Sequence, residues 1–192
     1  MSYPLTLRFK VIAIARQFSV EDSSGRMLMY VKQKAFKLRE AITVYADATQ
    51  TRALYHIRAD RIIDFSARYT ITDGDGQEIG AVRQQGMRSI WRARYDILRG
   101  DVPVFEVKEE NPWAKVGDQF VQDIPFLSGF LFHPRYLVST PDGRAVLRAS
   151  KQSAWFEGRF RIDRLETPLS AEDERLLVIG AVTTVLLEKT RG

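Results

Sequence analysis

Leu176-Leu-Val-Ile-Gly-Ala-Val-Thr-Thr-Val-Leu-Leu187 is the only long apolar run in the chain, and it carries no polar stripe. A helix that is apolar on nearly every side has to be surrounded by protein. At about 1.5 Å per residue these residues span roughly 18 Å, which is too short for a bilayer crossing of roughly 20 residues. The flanks argue for helix. Ser170 is a good N-cap, Glu172, Asp173 and Glu174 sit at the positive end of the dipole, and Lys189 and Arg191 sit at the negative end. This predicts a central helix over 170–190. Gly180 costs about 1 kcal/mol of helix propensity, so Gly180 and Ala181 imply that a wall of side chains comes close there. Thr183 and Thr184 can be buried if their hydroxyls donate to carbonyls of their own helix.

The wall is legible in a repeat. Phe18-Ser-Val-Glu-Asp-Ser-Ser-Gly25 aligns without a gap onto Tyr69-Thr-Ile-Thr-Asp-Gly-Asp-Gly76, and Leu28, Val31, Lys32 and Gln33 continue onto Ile79, Val82, Arg83 and Gln84. A weaker copy begins at Tyr136 and runs through Val138, Gly143, Val146 and Lys151. Each copy pairs two alternating runs across a glycine-containing turn, the pattern of a β-hairpin. Alternation recurs at residues 5–11, 41–47, 52–58, 90–98, 103–108 and 156–163. About twelve short strands at regular spacing predict a barrel or sandwich grown from hairpins. Residues 111–134 break the rhythm: Asn111 caps and Pro112 opens a segment with Trp113, Val116, Phe120 and Val121 at helical spacing, read as a helical insertion followed by an apolar crossover.

Composition narrows the class. At 192 residues, one domain spanning 1–192 is expected. With 45% hydrophobic and 28% charged residues the chain is neither disordered nor membrane-embedded by composition. Cysteine is absent, which excludes disulfides and thiolate metal sites and fits a reducing compartment. Arg8 and Lys10 precede only a short apolar stretch, so no export signal is expected. The expected location is cytoplasmic, peripheral at a membrane where a membrane is involved. The net charge of +5 invites phosphate-bearing partners.

Three stretches and the closing apolar helix carry a resemblance to a known family. They are Tyr30-Val-Lys-Gln-Lys-Ala-Phe-Lys-Leu38, Tyr69-Thr-Ile-Thr-Asp-Gly-Asp-Gly-Gln-Glu-Ile-Gly-Ala-Val82 and Ser89-Ile-Trp-Arg-Ala-Arg-Tyr-Asp-Ile97. In these the chain resembles the LURP-one-related family, which shares its architecture with the C-terminal domain of tubby proteins and with phospholipid scramblases. The resemblance implies a mainly β, tubby-like fold, a closed antiparallel barrel of about twelve strands around a hydrophobic C-terminal helix. It carries no catalytic signature.

The residues offer little chemistry of their own. His56 and His133 are the only histidines, and neither has metal-chelating or triad spacing. Asp73-Gly-Asp-Gly76 has the wrong acceptor spacing for a calcium loop, with Gln84 where the bidentate Glu belongs. Glu109 and Glu110 fall at a strand end, where solvation is the default. No catalytic residue, metal or cofactor is expected, and the protein reads as a non-enzyme. The binding candidates are cationic: Lys32, Lys34, Arg83, Arg92 and Arg94, with Lys37 and Arg88 nearby in sequence. Period 2 sets Arg92, Arg94 and Asp96 on the face opposite Trp91, Tyr95 and Ile97. Such cations pair with phosphates, although the solvated outer face of a barrel has the same composition.

The leading expectation is a non-catalytic barrel that docks anionic phospholipid headgroups or another phosphate-bearing partner, tubby's phosphoinositide binding being the implied precedent. The rivals are a small-molecule carrier or β-barrel enzyme with a lumenal site, and a nucleic-acid binder. The last is disfavoured because most aromatics fall on core-facing positions and leave no stacking platform. A protein partner stays open, and no transmembrane segment is expected.

Overall fold

The computed structural model describes residues 1–12, 15–34, 41–60, 67–85, 94–110, 135–152, 158–166 and 169–191. One local motif, a tight turn, occurs three times. In residues 22–26 the Gly25 N–H donates to the Asp22 carbonyl at 2.9 Å and the Asp22 N–H to the Arg26 carbonyl at 3.0 Å. Residues 73–77 and 140–144 repeat both bonds, and Gly25, Gly76 and Gly143 share φ values of 81°, 87° and 89°. A type I turn followed by a left-handed residue matches the twist of the strands it joins, and glycine enters that conformation without a Cβ clash. The Asp22 Oδ1 accepts from the N–H groups of Ser24 and Arg26, and the Asp73 Oδ1 from those of Asp75 and Gln77. The Asp73-Gly-Asp-Gly76 stretch is therefore a hairpin turn whose first carboxylate is held by its own backbone.

These turns join strands in succession. The first six are β1 (Leu5–Ile12), β2 (Ala15–Glu21), β3 (Met27–Lys34), β4 (Ala41–Tyr45), β5 (Ala53–Ala59) and β6 (Arg68–Asp73). The next six are β7 (Glu78–Gln84), β8 (Arg94–Arg99), β9 (Val102–Glu109), β10 (Arg135–Ser139), β11 (Ala145–Gln152) and β12 (Gly158–Arg164). Each strand pairs antiparallel with its sequence neighbours, and β1 pairs with β12 to close the ring. Closure removes the exposed edges that an open sheet would present. The strand expected over 90–98 is described from Arg94 onward. The helical insertion expected over 111–134 lies outside the described residues, as do Lys37, Arg88, Arg92 and His133 and the side chain of Lys34.

Every strand sends alternate residues inward onto one helix, α1 (Ala171–Arg191). All of residues 176–187 are buried, and each fully buried Leu, Ile or Val contributes about 1.5–3 kcal/mol. The Ser170 Oγ accepts from the Asp173 N–H at 3.0 Å and donates to the Asp173 carboxylate at 2.8 Å, a reciprocal N-cap. Thr183 and Thr184 donate to the carbonyls of Ile179 and Gly180 at 2.7 and 3.0 Å, so both sit fully buried with no outside partner.

α1 leans on one side of the barrel. A Cβ on Gly180 would fall 2.7 Å from the Ile97 Cδ1, and one on Gly80 would fall 2.6 Å from the Leu176 Cδ1 while striking the Leu98 carbonyl oxygen. Gly180, expected to face a close wall, does so against Ile97 of β8, and Gly80 of β7 takes the neighbouring Leu176 at similarly close range. Large side chains fill the other side: Leu7, Phe18 and Phe160 are buried there, Phe9 stacks on Phe18 at 4.7 Å, and Tyr136 meets Phe160 at 6.2 Å.

Candidate anion-binding surface

Polar groups inside the barrel tie α1 to the wall. The Arg175 Nε donates to the Tyr55 hydroxyl at 3.1 Å, with the guanidinium 5.1 Å from the Tyr55 ring centre. The fully buried Tyr95 donates its hydroxyl to Glu188 near the other end of α1. Burial, with Glu188 and Glu109 close by, raises the Tyr136 phenol well above its ordinary range and keeps it protonated. Arg175 with Tyr55 and Tyr95 with Glu188 are thus partnered within the fold.

The outer wall places the sequence-predicted cations in two separate regions. Lys32 is exposed on β3, opposite Gln17 of β2, which is in turn opposite Lys10 of β1. Lys34 ends the same strand, opposite Ala15. Arg83 is on β7 and Arg94 on β8, and the ring order sets β3 and β8 five strands apart in a barrel of twelve. Lys32 and the pair Arg83 and Arg94 thus form no common site.

Charge around β7 to β9 is locally matched. Arg83 lies directly opposite Asp96 and donates to its Oδ2 at 2.8 Å from Nη2 and 3.3 Å from Nε, while the Gln85 amide donates to Oδ1 at 2.6 Å. Covered in this way, Asp96 is 7% exposed, although the alternation places it on the solvent side. Arg94 lies opposite Lys108, which pairs with Glu106 at 2.6 Å, and Arg94 has a partner of its own. On neighbouring β6, Arg68 meets Asp60, Glu78 and Asp101, and the hydrogen bond that it donates to Asp101, ahead of the other charges, raises its pKa. Cations held by carboxylates in this way stabilise the wall and have little left to offer a ligand.

Around β1 and β12 the matching is incomplete. Arg8 lies directly opposite Arg159 across the closing seam, and Thr6 opposite Arg161. Arg8 pairs with Glu21 at 3.3 Å and Arg161 with Asp163 at 2.8 Å, while Arg159 has no ion-pair partner among the described residues. The Nε groups of Arg8 and Arg159 are both buried without an acceptor. Their lateral neighbours are neutral and polar: Ser19 beside Arg8 and Gln152 beside Arg159. Lys10 is exposed one outward position along β1 from Arg8, and Lys32 is two strands away from Lys10, about 10 Å at the usual spacing. Like charges directly opposite on a sheet repel. The closing seam therefore sets two guanidinium groups against each other with a single carboxylate, Glu21, paired to one of them.

Neither Arg8 nor Arg159 stands out in the sequence, because barrel closure alone brings them together. Each lies in an alternating run, and alternation marks them as outward-facing without naming a partner. His56 faces Thr43 at 3.4 Å on the outer side of β4 and β5.

A comparison with curated proteins gives no match. The family model described as LURP-one-related matches residues 27–166, from the start of β3 to just past β12. That is more than half of the chain, and with the closed barrel and its C-terminal helix it places the protein by sequence as well as by shape: the chain belongs to the LURP-one-related family.

Proposed function

We propose that the protein is a non-catalytic LURP-one-related barrel that docks anionic phospholipid headgroups on its outer wall, on the face formed by β3, β2, β1, β12 and β11. One observation carries the reading: among the described residues this face holds Lys32, Arg8, Arg159 and Arg161 against the carboxylates of Glu21 and Asp163, an excess of positive charge, with Lys10 beside them. The overall charge of +5 supports it, as does the family resemblance to tubby domains, which bind phosphoinositides. Docking of this kind is peripheral, at the cytoplasmic surface of a membrane. Among the described residues no helix is long and apolar enough to cross a bilayer, and the one apolar helix is enclosed. The same enclosure argues against a carrier or enzyme with a lumenal site, since α1 occupies the axis where a ligand would lie.

The test is flotation with phosphatidylcholine vesicles, plain or containing phosphatidylinositol phosphate or cardiolipin. The protein is expected to float with the anionic vesicles only, and to do so less as salt is raised. Lys10→Glu combined with Lys32→Glu is expected to abolish flotation. Flotation unchanged by that pair would overturn the reading.

A further inference from the structure

On the same face, and resting on the docking reading for its lipid form, we infer that Arg8 and Arg159 together form a seat for a phosphate monoester. The two arginines are a directly opposed cross-strand pair on the outer side of the seam, their inward neighbours Leu7 and Phe160 being the buried pair next to them. Cβ atoms of such pairs lie about 4.5–5.5 Å apart, so the two guanidinium groups project from one spot. One carboxylate, Glu21, pairs with Arg8 at 3.3 Å, and Arg159 has no ion-pair partner among the described residues. Two Nε donors remain buried without acceptors. A buried donor without a partner is costly, and so is a like-charge pair. An oxyanion between them answers both costs, because it accepts from each Nε and lies between the charges.

The flanking groups suit phosphate in particular. Ser19, Arg8, Arg159 and Gln152 run in one row across β2, β1, β12 and β11, which offers a hydroxyl and an amide beside the two guanidinium forks. Planar forks match the oxygen geometry of phosphate. A monoester carries close to two negative charges above its second pKa near 6 and a diester carries one, so the doubled cation selects the monoester. Occupancy should therefore rise as pH climbs through about 6, where the ligand gains its second charge.

The same anion occurs on lipid headgroups and on soluble phosphates, and the experiment has an arm for each. Inositol trisphosphate is titrated into the full chain while the arginine Nε–H resonances are followed by NMR, with wild type, Arg8→Gln, Arg159→Gln and the control Arg144→Gln, whose charge is lost from an exposed pair at the turn between β10 and β11. The expected result is a shift of two Nε–H signals in wild type and in Arg144→Gln. Affinity should be about tenfold weaker in either seam variant, the loss that follows from one charge-assisted bond. In phosphate-free buffer Arg159→Gln is expected to melt no lower than wild type, which separates loss of binding from loss of fold. Equal affinity in Arg159→Gln and wild type would overturn the seat. In the second arm, vesicles containing phosphatidylinositol phosphate are compared with vesicles containing phosphatidylserine, a diester. Flotation of the seam variants on the monoester vesicles as strong as that of wild type overturns the seat while leaving docking intact. Soluble binding that needs both arginines, with no flotation at all, supports the seat and overturns docking.

Discussion

The two sides of this barrel solve opposite problems. Along β7 and β8 the helix backbone comes so close that glycine is required at Gly80 and Gly180, and the outer face pairs its charges, Arg83 with Asp96 and Lys108 with Glu106. Along β1 and β12 the interior is filled by Leu7, Phe18 and Phe160, and outside two arginines face each other. The contrast separates residues that hold the barrel from residues held in readiness. A matched charge on a tight wall contributes to stability, whereas an unmatched pair on a well-packed wall costs a little stability that only a ligand can return.

The largest test of that contrast puts a methyl group on each side. Gly80→Ala drives a Cβ into the Leu98 carbonyl and the Leu176 side chain at a φ of 156°, and urea unfolding should show a loss of about 3 kcal/mol. Gly158→Ala on β12 meets only the half-exposed Phe9 ring, 3.2 Å from its Cδ1, and should cost less than about 1 kcal/mol. Comparable losses at the two sites would erase the difference in tightness.

Next in size is the charge on the tight side. Asp96→Ala removes the acceptor shared by Arg83 and Gln85 and should cost about 2 kcal/mol in chemical denaturation. A double-mutant cycle with Arg83→Ala should recover a coupling of about 1 kcal/mol. A cycle of zero would mean that the pair, though well placed, contributes as little as an exposed one.

A smaller effect belongs to the start of α1. The Ser170 hydroxyl, and then Arg99 of β8, hold the Asp173 carboxyl below its usual range. A lowered carboxylate stabilises the fold above its unfolded pKa near 4 and loses that contribution as pH falls through the folded value. Ser170→Ala should cost about 1 kcal/mol at neutral pH and flatten the acid limb of the stability curve, measured as thermal midpoint against pH. An unchanged acid limb would mean that the Ser170 hydroxyl does not hold the Asp173 carboxyl down. The smallest effect is on the far side, where Arg159→Gln should stay within about 0.5 kcal/mol of wild type and on the stabilising side. A loss above 1 kcal/mol there would make the seam arginines structural and end the contrast.

The architecture was legible because its signals are local. Residues 176–187 announce burial by lacking a polar stripe, Ser170 and the acids after it announce a helix start, and Gly25, Gly76 and Gly143 mark the same turn three times over. The site was not legible, because its signals are not local. The pairing of Arg83 with Asp96 spans a strand connection, which left the two residues looking like members of one solvated basic face. Arg8 and Arg159 are joined only by closure between the first and last strands. Lys32 was found from sequence and shares the seam's face; Arg83 and Arg94 lie elsewhere on the ring.

That same seam sets an order of events during synthesis. Until residues 158–164 have been made, β1 has β2 as its one partner and an unpaired edge beside it. The contact between Leu5 and Ile162 is among the longest in sequence that the chain must find, and such contacts are reached slowly. Since α1 follows β12 in the chain, the apolar helix that fills the barrel is made after the last strand of the ring. Until β12 is made, the edge of β1 therefore stays open to pairing with other chains, the exposure that makes an incomplete barrel prone to aggregate.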